Sequence, residues 1–115
     1  MTIKAVLAVI PVTDLDKACE WYESFFGRAA DTRPMDTLAE WHLSELGVVQ
    51  VFQEPDRAGH TMVNFAVEDL DTTISTLAAA DIHTTDPTKV SQGRQRLVST
   101  TDPDNNQLGL IETLA

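Results

Sequence analysis

The sequence contains one cysteine, few basic residues and no long apolar run. Cys19 has no second cysteine in the chain to pair with, which is typical of a reducing compartment, so we expect a cytoplasmic protein. Cys19 lies within a helical pattern, without a nearby His or Asn to activate its thiol, and we interpret it as a buried or half-buried hydrophobe. The apolar stretch near the N-terminus stops at Pro11, far short of the roughly 20 residues that a membrane helix requires. We interpret that stretch as a β-strand.

Basic residues are also scarce, because 8 Lys and Arg stand against 18 Asp and Glu, for a formal net charge of -10. A surface of this sign repels phosphate backbones and anionic lipids, so we expect neither a nucleic-acid nor a membrane partner. The same charge attracts cationic small molecules at long range, although many acidic proteins are simply soluble. The charge therefore excludes more partners than it selects.

What the sequence does contain is a duplication. The 115 residues, 43% of them hydrophobic, suffice for one domain with a real core. A Val-x-Asp-Leu-Asp motif occupies residues 12–16 and recurs 55 residues further along, at 67–71. Each copy follows a β-rich run and contains an Asp that can cap a helix. The sequence predicts a single domain with two modules, residues 1–55 and 60–115.

Apolar residues at helical spacing follow each motif. In the first module Gly27 supplies the stop, and in the second we expect the helix to end near Asp81 in a left-handed conformation. The apolar positions are Leu15, Ala18, Tyr22, Phe25 and Phe26 in the first helix, and Leu70, Ile74, Leu77 and Ala78 in the second.

Short extended segments follow each predicted helix. The first module is predicted to end in a hairpin of residues 38–44 and 48–54, and the second in a hairpin of residues 94–101 and 107–112. The turn of the second hairpin offers an Asn where a positive φ is needed. Residues 84–93 form the longest predicted loop, a candidate rim for a pocket. Each half thus reads strand, helix, then two or three strands.

The paired βαβββ pattern, the WYESFFG segment after the first motif, and the Asp-Pro-Asp turn before the last strand resemble the vicinal oxygen chelate superfamily. This group includes glyoxalase I, extradiol dioxygenases, fosfomycin-resistance enzymes and bleomycin-resistance proteins. The resemblance spans nearly the whole chain. It implies an α+β fold in which two tandem βαβββ modules form a curved mixed sheet around a cavity, and it implies a homodimer. Function must be argued from the site, because one fold supports many reactions.

In the metal enzymes of this superfamily, inward-pointing His, Glu or Gln side chains hold a divalent ion. The resemblance places these ligand positions at Leu7, Gln50, Met62 and Gly109. Only Gln50 offers a suitable donor, because leucine and glycine have no side-chain lone pair and a thioether is a poor ligand for a hard ion. We therefore expect no metal and no other cofactor. Gly109 is either a vacated ligand position that enlarges a dry cavity, or a residue that relieves crowding in a strand.

Strand alternation assigns other residues to two faces. Those expected to face the cavity with Leu7 and Met62 are Ala5, Val9, Pro11, Val48, Gln50, Phe52, Glu54, Asn64 and Ala66. Those expected beneath the helices are Val6, Ala8, Ile10, Val49, Val51, Val63, Phe65 and Val67. The sequence does not fix whether Trp41 or His42 faces inward. Trp41 is either a stacking surface for a planar ligand or part of the core, and His42 is either an acid, base or anchor, or an ordinary hydrogen-bonded residue.

Three classes of function remain open. The favoured one is a small-molecule binding protein that sequesters an organic ligand without metal or chemistry, with a candidate site of Leu7, Trp41, His42, Gln50, Phe52, Met62, Asn64 and Gly109. The alternative is a lyase, isomerase or dioxygenase-like enzyme. It would use His42 as a base, or a divalent metal held by relocated ligands such as His42, Gln50, His60 or Glu112. The third is a protein-interaction module that dimerises through an exposed apolar patch.

Overall fold

The computed structural model describes residues 1–114 and contains the βαβββ order twice in succession. The first module consists of β1 (Val6–Val12), α1 (Leu15–Phe26), β2 (Thr32–Met35), β3 (Leu38–His42) and β4 (Gly47–Gln53). A short 3-10 helix, Pro55–Arg57, follows it. The second module consists of β5 (Met62–Ala66), α2 (Leu70–Ala79), β6 (Thr88–Val90), β7 (Gln95–Thr101) and β8 (Gln107–Thr113). The predicted α+β fold with two βαβββ modules is confirmed.

Each module forms its own four-stranded mixed sheet. The strand orders are β1-β4-β3-β2 and β5-β8-β7-β6, and in each sheet the first pair is parallel while the others are antiparallel. The parallel pairing requires a crossover connection, and the module's helix lies within it. The mixed sheet expected from the resemblance is thus present as two sheets of equivalent topology.

Both helices begin and end where the sequence predicts. The Asp14 carboxylate accepts a hydrogen bond from Lys17 N at 3.2 Å, and the Asp69 carboxylate accepts one from Thr72 N at 3.0 Å, so each Asp caps a first turn. Gly27 ends α1 with a φ of 77°, and Asp81 follows α2 with a φ of 63°. No helix within residues 1–114 has the length and apolar character to cross a membrane.

The core lies between each sheet and its helix. The fully buried large side chains include Ile10, Leu15, Tyr22, Trp41, Leu70, Val98 and Leu108. Trp21 and Phe25 of α1 pack against the buried clusters of both modules, so α1 joins the two. Cys19 is half-buried as expected, and its burial raises the pKa of the thiol. The cytoplasmic location and the single-domain assignment stay predictions.

The structure corrects three details of the sequence interpretation. Residues 88–90 lie in the predicted loop, yet they form edge strand β6 because they pair in register with β7. The first hairpin is shorter than predicted, since a tight turn closes it between Ser44 and Gly47. Val6 was expected beneath a helix but is 68% exposed; it is the first residue of β1 and lines a cavity between the modules.

Candidate functional site

The face of each sheet that turns away from the helices is called here the open face. In the first module the strand register aligns Val9, Gln50, Glu40 and Thr32 as one row across all four strands of this face. Alternation then places Leu7, Val48 and His42 in the neighbouring row. Leu7, Gln50 and His42 therefore share one face.

Glu40 is the central polar group of this face. Its Oε2 accepts a hydrogen bond from Gln50 Nε2 at 2.6 Å, and its Oε1 accepts one from Thr32 Oγ1 at 3.2 Å. The hydrogen bond from Gln50 is the main cause that holds the pKa of the Glu40 carboxyl below its ordinary value, so the group is ionised at neutral pH. Sequence reasoning missed Glu40, because its place on the open face is fixed only once Trp41 is known to be buried on the other side of β3.

Trp41 and His42 lie on opposite sides of β3, which settles the question the sequence left open. Trp41 is fully buried on the helix side, where its ring packs 5.4 Å from that of Phe26 and its Nε1 donates a 3.0 Å hydrogen bond to Arg28 O. His42 lies on the open face, with Nε2 3.5 Å from Glu40 Oε1. The structure therefore removes Trp41 from the candidate site, because the burial of its ring leaves no surface for a ligand.

On the open face of the second module, Asn64 lies over Gly109. The two residues are register partners on β5 and β8. A Cβ atom built on Gly109 would overlap with Asn64 Oδ1, and it would lie 3.2 Å from Asn64 Cγ and 3.3 Å from Leu97 Cδ1. The missing side chain thus leaves room for the Asn64 amide and for Leu97. Of the two interpretations of Gly109, the geometry favours the relief of crowding.

The four metal positions implied by the resemblance do not fit a divalent ion. Leu7 is 50% exposed and Met62 is 65% exposed, and neither offers a hard donor atom. The Gln50 amide nitrogen is engaged with Glu40, and Gly109 lies beneath Asn64. Within residues 1–114, no group of three or more His, Cys, Asp and Glu side chains is close enough together to hold a metal.

The relocated ligands of the enzyme alternative do not converge either. Glu112 accepts a 2.9 Å hydrogen bond from Leu70 N at the start of α2, and it lies 3.9 Å from Arg96. It therefore caps a helix in the second module. His60 lines a hollow of about 400 Å³ beside Val9, Pro11 and Arg57. Glu112 thus occupies the side of its sheet opposite to the open face, and no common ligand set forms with His42 and Gln50.

A cavity of about 500 Å³ lies between the modules on the helix side. Aromatic rings of Phe25, Phe26 and Phe65 line it together with Ala8 and Val49. The lining includes the continuous stretch from Val63 to Val67 and therefore Asn64, whose side-chain amide lies over Gly109 on the open face. Of the other predicted ligand-binding residues, Leu7, His42, Gln50, Phe52, Met62 and Gly109 are not part of this lining. Those residues lie on the open faces of the two sheets, which a single chain leaves exposed to solvent at Leu7 and Met62.

Comparisons with known proteins connect this arrangement to solved structures. No family model matches the sequence, and no curated protein matches it. A glyoxalase / bleomycin resistance protein from Catenulispora acidiphila superimposes with a TM-score of 0.87 at 29% identity, over 95% of this chain and 97% of that one. A bleomycin-binding protein complexed with bleomycin superimposes with a TM-score of 0.78 at 20% identity, over 97% and 99% of the two chains. TnmS3, an antibiotic binding protein from Streptomyces sp. CB03234, gives a TM-score of 0.76 at 18% identity, over 98% and 96%.

Proposed function

We propose that the chain binds a small organic ligand without a metal ion. Its fold is that of the glyoxalase and bleomycin resistance proteins. This fold bears out the resemblance to the vicinal oxygen chelate superfamily. The observation that carries the proposal is the replacement of hard donors at the metal positions. Leucine, methionine and glycine occupy three of the four, and an amide lies over the glycine. These positions favour an organic molecule over a metal ion.

The solved structures with the same fold support a binding role. One is described as a bleomycin-binding protein in complex with its ligand, and another as an antibiotic binding protein. At 20% and 18% identity, these likenesses establish the fold and do not identify the ligand of this chain. The fold is thus compatible with sequestration without chemistry, and the side chains on the open faces support that role here.

Calorimetric titration of the chelator-stripped protein with Zn²⁺, Ni²⁺, Mn²⁺ and Fe²⁺ tests metal independence. We expect no stoichiometric submicromolar binding of any of these ions. A thermal-shift screen of organic compounds, run with and without EDTA, tests the binding role, and we expect stabilising compounds whose effect is insensitive to EDTA. Stoichiometric tight binding of one ion, or a ligand effect that EDTA abolishes, would overturn the metal-free proposal.

We also propose that the chain works as a homodimer. In a single chain, four large apolar side chains are at least half exposed: Val6, Leu7, Leu46 and Met62. Covering them in a dimer interface lowers the free energy, because apolar surface is removed from water. On the open faces, Leu7, Val9 and Met62 remain exposed within residues 1–114. Size-exclusion chromatography with light scattering should give about twice the 12.6 kDa of one chain. A monomer that binds ligand with full affinity would contradict this part of the proposal.

A metal-free enzyme that uses His42 as a base is a second candidate, favoured by the 3.5 Å approach of His42 to Glu40. A carboxylate beside an imidazole orients the ring for proton transfer. The test is the rate of deuterium exchange at the acidic C–H positions of an α-hydroxyketone such as hydroxyacetone, followed by NMR. We expect equal rates with wild type and His42→Ala. Exchange that is faster with wild type and is lost in His42→Ala would favour the enzyme.

A further inference from the structure

We propose that the ligand of the first module's open face carries a cationic nitrogen group, and that Glu40 receives this group. The inference rests on the proposed binding function and names the chemical class of the ligand. An amine, amidine or guanidine attached to an apolar body meets the description.

The first argument is the position of the charge. The Glu40 side chain is 16% exposed, at the middle of a row that runs from Val9 to Thr32. Its hydrogen-bond donors, Gln50 and Thr32, are both neutral. Within residues 1–114, His42 is the sole basic side chain within 4.0 Å of the carboxylate. Glu40 is thus a half-buried carboxylate with no lysine or arginine within 4.0 Å in the described part of the chain.

The second argument concerns the neighbouring arginines, which are engaged elsewhere. Arg28 pairs with Asp31 at 3.0 Å, and Arg33 pairs with Asp16 at 2.7 Å. Neither is within ion-pair distance of Glu40 in the described part of the chain. A carboxylate offers about four acceptor positions, and Gln50, Thr32 and His42 account for at most three of them. At least one position is therefore open to a donor from the ligand.

The third argument is the environment of the carboxylate. The strand register surrounds Glu40 with Leu38, Val48 and Phe52 on the same face, and Val9 lies in its row. Charges attract more strongly beside apolar groups than in water, because the local dielectric constant is lower. The hydrogen bonds that lower the pKa of Glu40 keep it ionised. This combination favours a cation with an apolar body and disfavours an anion.

The overall charge acts in the same direction. With 18 acidic and 8 basic residues, the protein attracts a cation from solution and repels an anionic ligand of the same shape. Glu40 then converts that general attraction into a specific contact, because a charge-assisted hydrogen bond to a carboxylate is shorter and stronger than a neutral one.

The test uses three probes of matched shape: 2-naphthamidine, which is cationic, 2-naphthamide, which is neutral, and 2-naphthoate, which is anionic. Their dissociation constants are measured by ¹⁵N NMR titration of the full chain. We expect the cation to bind about tenfold more tightly than the neutral amide, with the anion weakest. The shifted amide signals should cluster at Glu40, Gln50, Val9 and His42.

Glu40→Gln is the test variant, because it removes the charge and keeps the shape. Glu68→Gln is the matched control, since Glu68 is exposed in the second module and the change in net charge is the same. We expect Glu40→Gln to abolish the preference for the cation and Glu68→Gln to keep it. The wild-type shift map tests the inference even if Glu40→Gln folds poorly.

The outcomes separate this inference from the proposed function. Equal binding of cation and neutral amide at the open face would overturn the cation inference while the binding function stands. Tighter binding of the anion, or loss of the preference in both variants, would overturn it as well. Failure of all three probes to bind would contradict both the inference and the proposed apolar binding face.

Discussion

The Tyr22 hydroxyl donates a 2.7 Å hydrogen bond to Asp102 Oδ2, which joins α1 to the turn before β8. Asn106 extends the contact, because its side-chain nitrogen donates to Asp102 at 2.9 Å and to Pro11 O at 2.8 Å. Its side-chain oxygen accepts from Gly59 N at 3.0 Å and from Thr61 N at 3.2 Å. The acidic turn that resembles the superfamily pattern is therefore a structural connection between the modules.

Tyr22→Phe should lower the free energy of unfolding by about 1–3 kcal/mol, because it leaves a buried carboxylate with one donor fewer. Asp102→Asn should show a comparable loss, and the double variant should cost less than the sum of the two, because both single changes remove the same hydrogen bond. Urea unfolding measures all three values. As a control, Thr13→Val removes the exposed hydrogen bond from the Thr13 hydroxyl to Asp104 and keeps the one from Thr13 N, so it should change stability by less than about 0.5 kcal/mol. Additive losses would contradict the coupling.

The same contact predicts how stability depends on alkaline pH. Burial, followed by the Asp102 charge, raises the pKa of Tyr22 above its ordinary value of 10.0. Below about pH 10 both the folded and the unfolded chain keep this proton, and the contribution is constant. Above it the unfolded chain releases the proton and the folded chain does not, so stability falls by up to about 1.4 kcal/mol per pH unit.

Tyr22→Phe isolates this effect, because phenylalanine does not titrate. The difference in unfolding free energy between wild type and Tyr22→Phe should shrink as the pH rises from about 8 to about 11. Urea unfolding at several pH values measures it. A difference that stays constant over this range would show that Tyr22 titrates normally in the folded protein.

Gly109→Ala should destabilise the fold by about 1–3 kcal/mol, because the added methyl group overlaps with the Asn64 amide and approaches Leu97. Asn64→Ala in the same chain should recover most of the loss, since it removes the closest overlap. Asn64→Ala alone is the control, and it should have a small effect because Asn64 is exposed. An unchanged stability of Gly109→Ala would show that the space above the glycine is empty.

The two βαβββ modules, the Asp caps, the end of α1 at Gly27 and the left-handed residue at Asp81 were predicted correctly, because these features depend on local sequence. The position of Asn64 over Gly109 depends on pairing between β5 and β8, which the sequence does not specify. The same applies to Glu40, since its row is set by the registers of three strand pairs. The sequence alone thus does not determine which strands distant along the chain pair with each other, or in which register.

The register of β3 gives the last prediction, because two adjacent residues on that strand should respond oppositely. Trp41→Phe should cost about 1–3 kcal/mol of stability, since it leaves Arg28 O without its donor and opens space beside Phe26. His42→Ala should change stability by less than about 0.5 kcal/mol, because His42 is exposed. Urea unfolding measures both.

In the ligand titrations the effects of the two variants should be reversed. His42→Ala should alter binding at the open face, and Trp41→Phe should leave it unchanged. A loss of stability in His42→Ala with none in Trp41→Phe would place the opposite face of β3 in the core.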